Sequence, residues 1–246
     1  MQYSVILPTL NENGHIEKLI ISIEEIFNKN KKNYEIIVVD DQSVDGTIDT
    51  IKSLAKRDEK LKLFVRNNLK KNLADSINLG IVESRYENII WMDADFQHPP
   101  KYIEEFIKKS EYYDAIICSR FLYQSERYFK NKNINKKDIN ENQSYIFNKI
   151  CKYFLYKDIT DYTSGYICIK KNILEKIKLK GFYGDYFVNL LTFLKREKYK
   201  IIEIPFRDEM RATGLSKTVV NFNFKYIYTC FRYFLTLLNN IFKKIN

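Results

Sequence analysis

The sequence predicts an α/β protein: a mostly parallel, twisted sheet with helices on both faces, followed by a C-terminal amphipathic helix. Three observations predict it. Short apolar runs of strand length alternate with segments whose apolar residues recur at helical spacing. Runs such as Tyr34 to Val39 are continuously apolar, as expected of strands covered on both faces. Polar clusters follow the runs, at Pro8–Glu12, Asp40–Asp45, Asp93–Gln97 and Ser119–Arg120. In sheets of this kind ligands bind beyond the carboxyl ends of the strands.

The elements follow in order. Tyr3 to Leu7 is a strand closed by Pro8, and Ile16 to Phe27 places Ile16, Leu19, Ile20, Ile23 and Ile26/Phe27 on one helical face. The Tyr34 to Val39 strand runs into Asp40-Asp41, then Thr47 to Ala55 is helical. Leu61 to Val65 is a strand, Ala74 to Ser84 a helix, and Asn88 to Met92 the strand that delivers Asp93. Pro99-Pro100 opens a helix over Lys101 to Lys109, and Ala115 to Cys118 is a strand. Residues 124–144, rich in Asn, Lys and Glu, predict a mobile loop. Order returns with a helix over Tyr145 to Leu155, a strand over Tyr166 to Ile169, a helix over Phe187 to Leu194, and a strand from Ile201 to Ile204. Repeats and a clear linker are lacking, so residues 1–218 read as one domain and 219–246 as an appendage.

In the appendage Val220, Phe224, Ile227, Phe231, Phe234, Leu238, Ile241 and Ile245 share a helical face, with Lys225, Arg232, Asn239 and Lys243 opposite. Such a helix packs on a core, or lies in a membrane interface with Tyr226, Tyr228 and Tyr233 at headgroup level. A run of eighteen or more uncharged apolar residues does not occur, which disfavours spanning. The chain enters a strand at Tyr3, leaving no room for a signal peptide. Cys118, Cys151, Cys168 and Cys230 are scattered, the pattern of buried thiols in a reducing compartment rather than of a zinc site or disulfide frame. The net charge of +10 suits an anionic partner: nucleic acid, phospholipid or a phosphorylated substrate.

Asp93 and Asp95 lie one residue apart where an apolar strand stops, so in an extended segment they point to one side. Two converging carboxylates repel unless a cation sits between them. A hard ion, Mg²⁺ or Mn²⁺, relieves that repulsion and accepts Gln97 as a further oxygen ligand. The alternative is an acidic loop with Asp95 capping the following helix. Far along the chain, Arg211, Ser216 and Lys217 surround Gly214 in a cationic loop suited to closing over a diphosphate. His15 and His98 read as surface or capping residues.

Five segments occur in one order: Pro8-Thr9-Leu10-Asn11-Glu12; Val38-Val39-Asp40-Asp41-Gln42-Ser43-Val44-Asp45-Gly46-Thr47; Asp93-Ala94-Asp95-Phe96-Gln97-His98-Pro99-Pro100; Ser164-Gly165; and Arg211 to Lys217. Together they resemble family 2 glycosyltransferases, specifically the dolichol- or polyprenyl-phosphate mannose synthases, over nearly the whole chain except 124–144. The resemblance implies a GT-A fold and inverting transfer of a hexose from a nucleotide-sugar donor, a GDP- or UDP-sugar with GDP-mannose the leading choice. It implies that Pro8, Leu10, Glu12, Val39 and Asp41 line the nucleoside pocket. Asp93, Ala94, Asp95 and Gln97 would handle ribose, diphosphate and metal, and Arg120, Arg211 and Lys217 the phosphates. Leu10 stands where the synthases commonly carry Tyr.

The acceptor divides the expectations. A polyprenyl phosphate oxygen is already anionic and needs no protein base, whereas a sugar hydroxyl of a surface glycan must lose a proton. Asp185, just ahead of a helix, is the candidate base for the second case. The resulting expectation is a metal-dependent hexosyltransferase, peripheral on the cytoplasmic face of a membrane, with Asp95, Arg120, Arg211 and Asp185 as its catalytic candidates. A nucleic-acid-binding protein is the reading from another class. It is disfavoured because acidic clusters occupy the strand ends and no nucleic-acid motif is present. A non-catalytic donor-binding relative is a third, and the intact Asp93, Asp95, Gln97 and Arg211 argue against it.

Overall fold

A computed structural model of the protein describes residues 1–67, 70–122, 136–181, 184–207 and 224–245, with the backbone alone for 136–142, 224–229 and 244–245. The elements run β1 (Gln2–Thr9), α1 (Ile16–Lys29), β2 (Asn33–Asp40), α2 (Thr47–Ala55), β3 (Leu61–Val65), α3 (Leu73–Glu83) and β4 (Asn88–Trp91). A short 3-10 turn (Pro100–Tyr102) leads into α4 (Ile103–Lys109), β5 (Ala115–Ser119), α5 (Lys136–Phe154), β6 (Ile167–Lys170) and α6 (Lys171–Leu174). The order closes with α7 (Asp185–Arg196), β7 (Ile201–Pro205) and α8 (Phe224–Ile245).

The seven strands form one sheet in the order β3-β2-β1-β4-β6-β5-β7. Every pairing is parallel except those of β6, which runs antiparallel to both β4 and β5. This single reversal matters for the site. It brings Ser164-Gly165, which precede β6, to the same rim as the carboxyl ends of β1, β2, β4 and β5.

The period of two along each strand splits the core into two layers. Tyr3, Val5 and Leu7 of β1 face α1, meeting Ile16, Leu19, Ile23 and Phe27, while Ile6 faces α3 and packs with Ala74, Ile77 and Ile81. α3 comes so close that a Cβ on Gly80 would stand 2.5 Å from Ile6 Cγ2, which requires glycine there. Trp91 points into the α3 layer together with Tyr162, Tyr186 and Phe187.

Two expectations are corrected. The stretch expected as a loop to residue 144 is helical from Lys136, and residues 124–135 lie outside the described residues. Extending a helix already nucleated by the apolar 145–155 segment fixes one residue per added hydrogen bond, so a polar sequence can continue it. The second concerns α8. It packs on α7, with Leu237 and the half-buried Tyr233 and Ile241 on the core and Thr236 and Asn240 buried beside them. Tyr233 meets Phe147 of α5 at a ring distance of 5.0 Å, so its ring packs against the protein. Phe231, Phe234, Leu235 and Phe242 remain exposed. No described helix is long and apolar enough to cross a membrane. The boundary expected at residues 218/219 lies outside the described residues.

Candidate active site

The β1–α1 and β2–α2 loops are stapled to each other. Asn11 N–H donates to Ser43 Oγ at 2.7 Å, Val44 N–H to Asn11 Oδ1 at 2.9 Å, and Glu12 N–H to Thr47 Oγ1 at 2.8 Å. Asp45 accepts from Asn13 N–H at 3.1 Å and from Thr47 Oγ1 at 2.5 Å. Gly46 sits at φ +95°, a conformation that favours glycine. Most polar residues of the Asp40-to-Thr47 motif are therefore spent on holding the loop. Asp40 is fully engaged by Thr9 and by the backbone and hydroxyl of Ser43.

Asp41 differs. Its Oδ2 accepts from Arg66 Nη1 at 2.9 Å and from Asn72 N–H at 2.7 Å, whereas its buried Oδ1 has no hydrogen-bond partner. A buried acceptor left open carries a desolvation cost that a ligand donor would relieve. Burial pushes the Asp41 carboxyl above the ordinary 3.8, against the lowering pull of the Asn72 backbone and Arg66. Arg66, 6% exposed, was not singled out from the sequence. Pro8 and Leu10 are half-buried on the same rim, as is Glu12, which is bonded to His15 at 2.7 Å. The Val39 side chain lies at 0% exposure in the α3 layer, so it does not line a surface pocket.

At the end of β4 the strand geometry stops at Trp91, and a turn rather than an extended segment presents the acidic pair. Phe96 sits at φ +63° and Asp95 Oδ1 accepts the Gln97 N–H at 3.0 Å. Asp95 is 4% exposed, Asp93 and Gln97 are half-buried, and Ala94 is buried. The alternative of Asp95 as a helix cap is not what forms, because the cap position of the following turn is Pro99. His98 is buried, not a surface residue. Its Nδ1 accepts Asp93 N–H at 2.9 Å, and its ring stacks on Tyr166 at 4.9 Å. His15 is likewise buried, edge-on to Phe96 at 6.5 Å. Both histidines support the turn from behind.

Two carboxylates and an amide suit a hard cation, as Mg²⁺ sites use one or two carboxylates and take substrate phosphates for the rest. No group of three or more His, Cys, Asp or Glu that could hold a metal occurs among the described residues, so an ion here would share its shell with a ligand.

Arg120 follows β5 and is gripped by Asp161 through Nε and Nη2, each at 2.8 Å, with Nη2 also on Thr163 Oγ1 at 2.8 Å. Burial alone would raise the Asp161 carboxyl, but Arg120 outweighs it and holds the group below the usual carboxylate value. Behind Asp161, Glu203 of β7 accepts the Thr160 and Asp161 backbone N–H groups. Asp185 is the first residue of α7, and Arg232 of α8 approaches it at 3.6 Å. Asp161, Arg66 and Arg232 had no local signature, because each partner lies far off in sequence. Arg211 and Lys217 lie outside the described residues.

A mostly parallel sheet with such clusters along its carboxyl rim is an α/β ligand-binding architecture. The family model described as glycosyl transferase family 2 matches residues 4–178, and the chain belongs to that family. It is 31% identical over 242 residues to a dolichol-phosphate mannosyltransferase of Pyrococcus furiosus, covering 94% of this chain and 63% of that relative. The chain thus spans under two thirds of that relative's length. A dolichol-phosphate mannosyltransferase of Mycosarcoma maydis is 25% identical over 232 residues, covering 91% of this chain and 76% of the relative. Among solved structures, glucosyl-3-phosphoglycerate synthase of Mycobacterium tuberculosis in complex with Mn²⁺, UDP and phosphoglyceric acid superposes with a TM-score of 0.68 at 15% identity. That match covers 98% of this chain and 78% of the synthase. The GT-A fold expected from the sequence is the fold observed.

Proposed function

We propose that the protein is an inverting, metal-dependent hexosyltransferase that moves a sugar, mannose from GDP-mannose first among the choices, to a polyprenyl phosphate. The observation that carries this reading is the pairing, on one rim, of the Asp93–Gln97 turn with the open Oδ1 of Asp41. The turn suits a diphosphate with its cation, and the open acceptor suits the imide-type N–H of guanine or uracil. The mannosyltransferase relatives and the Mn²⁺–UDP complex of the structural neighbour support the same assignment.

Bound Mg²⁺ or Mn²⁺ would supply Lewis-acid neutralisation of the departing nucleoside diphosphate. Asp93, Asp95 and Gln97 are the residues that would hold it. Arg120, with Arg211 and Lys217 further along the chain, would meet the phosphate charge. The acceptor oxygen attacks the anomeric carbon as the bond to the diphosphate breaks, which inverts the centre. A phosphate acceptor brings its own negative charge. The Asp185 carboxylate is 1% exposed and faced by Arg232 at 3.6 Å.

Residues 1–218 would then be the catalytic domain and 219–246 an interfacial appendage on the cytoplasmic face of a membrane. The exposed Phe231, Phe234, Leu235 and Phe242 of α8 support this, as do Ile146, Ile150, Tyr153 and Phe154 along one face of neighbouring α5. The test is transfer of labelled sugar from GDP-mannose and from UDP-sugars to vesicles carrying polyprenyl phosphate, with and without Mn²⁺. Metal-dependent, lipid-extractable label is expected. Absence of lipid label with every donor, alongside transfer to a soluble glycan that Asp185→Asn abolishes, would overturn it in favour of a hydroxyl acceptor.

A further inference from the structure

We infer that Arg232 is a positioning residue: from the C-terminal helix it holds Asp185, and through the Tyr186–Trp91 hydrogen bond it sets the strand end that carries Asp93. α8 is registered on α7 at two levels. Arg232 Nη2 stands 3.6 Å from Asp185 Oδ2, and two turns further Asn240 Nδ2 donates to Asn189 Oδ1 at 2.8 Å. Beside the first contact, a Cβ on Gly184 would be 2.5 Å from the Tyr233 hydroxyl, so the two helices touch there without intervening space. Asp185 is buried at the first turn of α7, where the helix dipole favours a negative charge and where a cation from α8 balances its burial.

The next residue carries the contact inward. The Tyr186 hydroxyl, fully buried, accepts the Trp91 indole N–H at 3.1 Å. Burial raises the Tyr186 phenol well above its usual value, and the nearby charge of Asp93 raises it further. Trp91 is the last residue of β4, two positions before Asp93. A path therefore links α8 to the acidic turn: the Arg232–Asp185 ion pair, the chain to Tyr186, its hydrogen bond with Trp91, and the chain to Asp93. That this turn receives the donor rests on the reading above, whereas the linkage itself does not.

Trp91 is the only tryptophan, so its fluorescence reads the linkage without any substrate. The full chain would be compared with Arg232→Gln, Arg232→Lys, Tyr186→Phe and the Arg232→Gln/Tyr186→Phe double variant. Arg232→Gln should red-shift Trp91 emission while unfolding stays cooperative, and Arg232→Lys should restore most of the wild-type spectrum. Tyr186→Phe should shift the emission by itself, and adding Arg232→Gln to it should change nothing more. An unchanged spectrum in Arg232→Gln, or an undiminished second shift in the double variant, overturns the proposal. Should Arg232→Gln not fold, Asp185→Asn, nearly isosteric, takes its place with the same expected outcomes. MnCl2 with GDP or UDP, titrated by calorimetry, should bind several-fold more weakly to Arg232→Gln than to Arg232→Lys. If the wild type binds neither nucleotide, the donor reading fails while the Trp91 spectra still decide the linkage.

Discussion

Asp161 holds Arg120 along the edge of its guanidinium: Nε lies 2.8 Å from Oδ2 and Nη2 lies 2.8 Å from Oδ1, with Asp161 fully buried. The pair joins the end of β5 to the segment ahead of β6, and a two-point contact fixes the plane of the cation as well as its position. Arg120 keeps partial exposure on this rim.

Removing the buried carboxylate while leaving its half-buried cation should be costly. Asp161→Ala is expected to lose about 1.5–3 kcal/mol of stability at neutral pH, since the half-buried arginine then loses its two-point charged contact. Because the folded Asp161 carboxyl is held below 3.8, its stabilisation is present above that value and is lost as pH falls through the folded pKa. Urea unfolding at pH 7 and at pH 2.5 checks both. The gap between wild type and variant should shrink at the acid end, and an undiminished gap would contradict the ion-pair account.

Asp41 carries the opposite sign. Its folded carboxyl is raised above 3.8 by burial, so it stays protonated into a range where an exposed aspartate is already charged. An ionised Oδ1 accepts an imide-type N–H, present in guanine and uracil and missing from the ring edge of adenine and cytosine. Binding of GDP or UDP should therefore weaken as pH falls through this raised value, and ADP and CDP should bind at least tenfold more weakly at pH 7, a difference of about 1.4 kcal/mol. Asp41→Asn should erase the pH dependence. Calorimetric titration across pH 4 to 7.5 measures all three, and equal affinity for ADP and GDP would remove Asp41 as a base reader.

Much of this rim was legible because burial on both sheet faces writes continuous apolar runs, and those runs mark where each strand must end. Asp41 and the Asp93–Gln97 turn stand at such ends. The reversal of β6 left no such mark: a short strand with three successive apolar residues reads the same in either direction. Contacts between distant segments were also silent. Arg120 finds Asp161 across 41 positions and Asp41 finds Arg66 across 25, distances no local pattern encodes. His15 and His98 read as surface or capping groups; His15 does stand at the N-cap position of α1, but a lone polar residue in a loop sequence gives no sign of the aromatic rings beside it. Within the Asp40-to-Thr47 motif, the sequence marked the residues without separating the staples from the one open acceptor.

The acidic turn makes a direct claim on metal-dependent binding. Asp95→Asn keeps the shape and the contact to Gln97 N–H but removes a charge. Wild-type protein with Mn²⁺ and its nucleotide at a hundred times Kd should gain about 2.7 kcal/mol of apparent stability. The variant should lose nearly all of that gain while its ligand-free unfolding stays close to wild type. Thermal unfolding with and without EDTA measures this, and a full Mn²⁺-dependent shift in the variant would place the ion elsewhere.

The exposed faces of α5 and α8 predict how the protein meets lipid. Ile150, Tyr153 and Phe154 of α5 and Phe234 and Phe242 of α8 are exposed, Phe147 and Tyr233 bring the two helices into contact, and Lys149, Lys152 and Lys243 are exposed on the same helices. Fully burying one phenylalanine is worth about 1.5–3 kcal/mol, and partial insertion gives a fraction of that. Phe234→Ser with Phe242→Ser should therefore lower partitioning onto anionic vesicles at least about tenfold, which corresponds to about 1.4 kcal/mol. Added salt should weaken the wild type further, since exposed charges are screened. Tyr112→Ser, an exposed aromatic between α4 and β5 on the opposite rim of the sheet, should leave partitioning unchanged. Vesicle sedimentation at low and high salt distinguishes these outcomes: if the double variant sediments like wild type, the two-helix face does not bind the membrane.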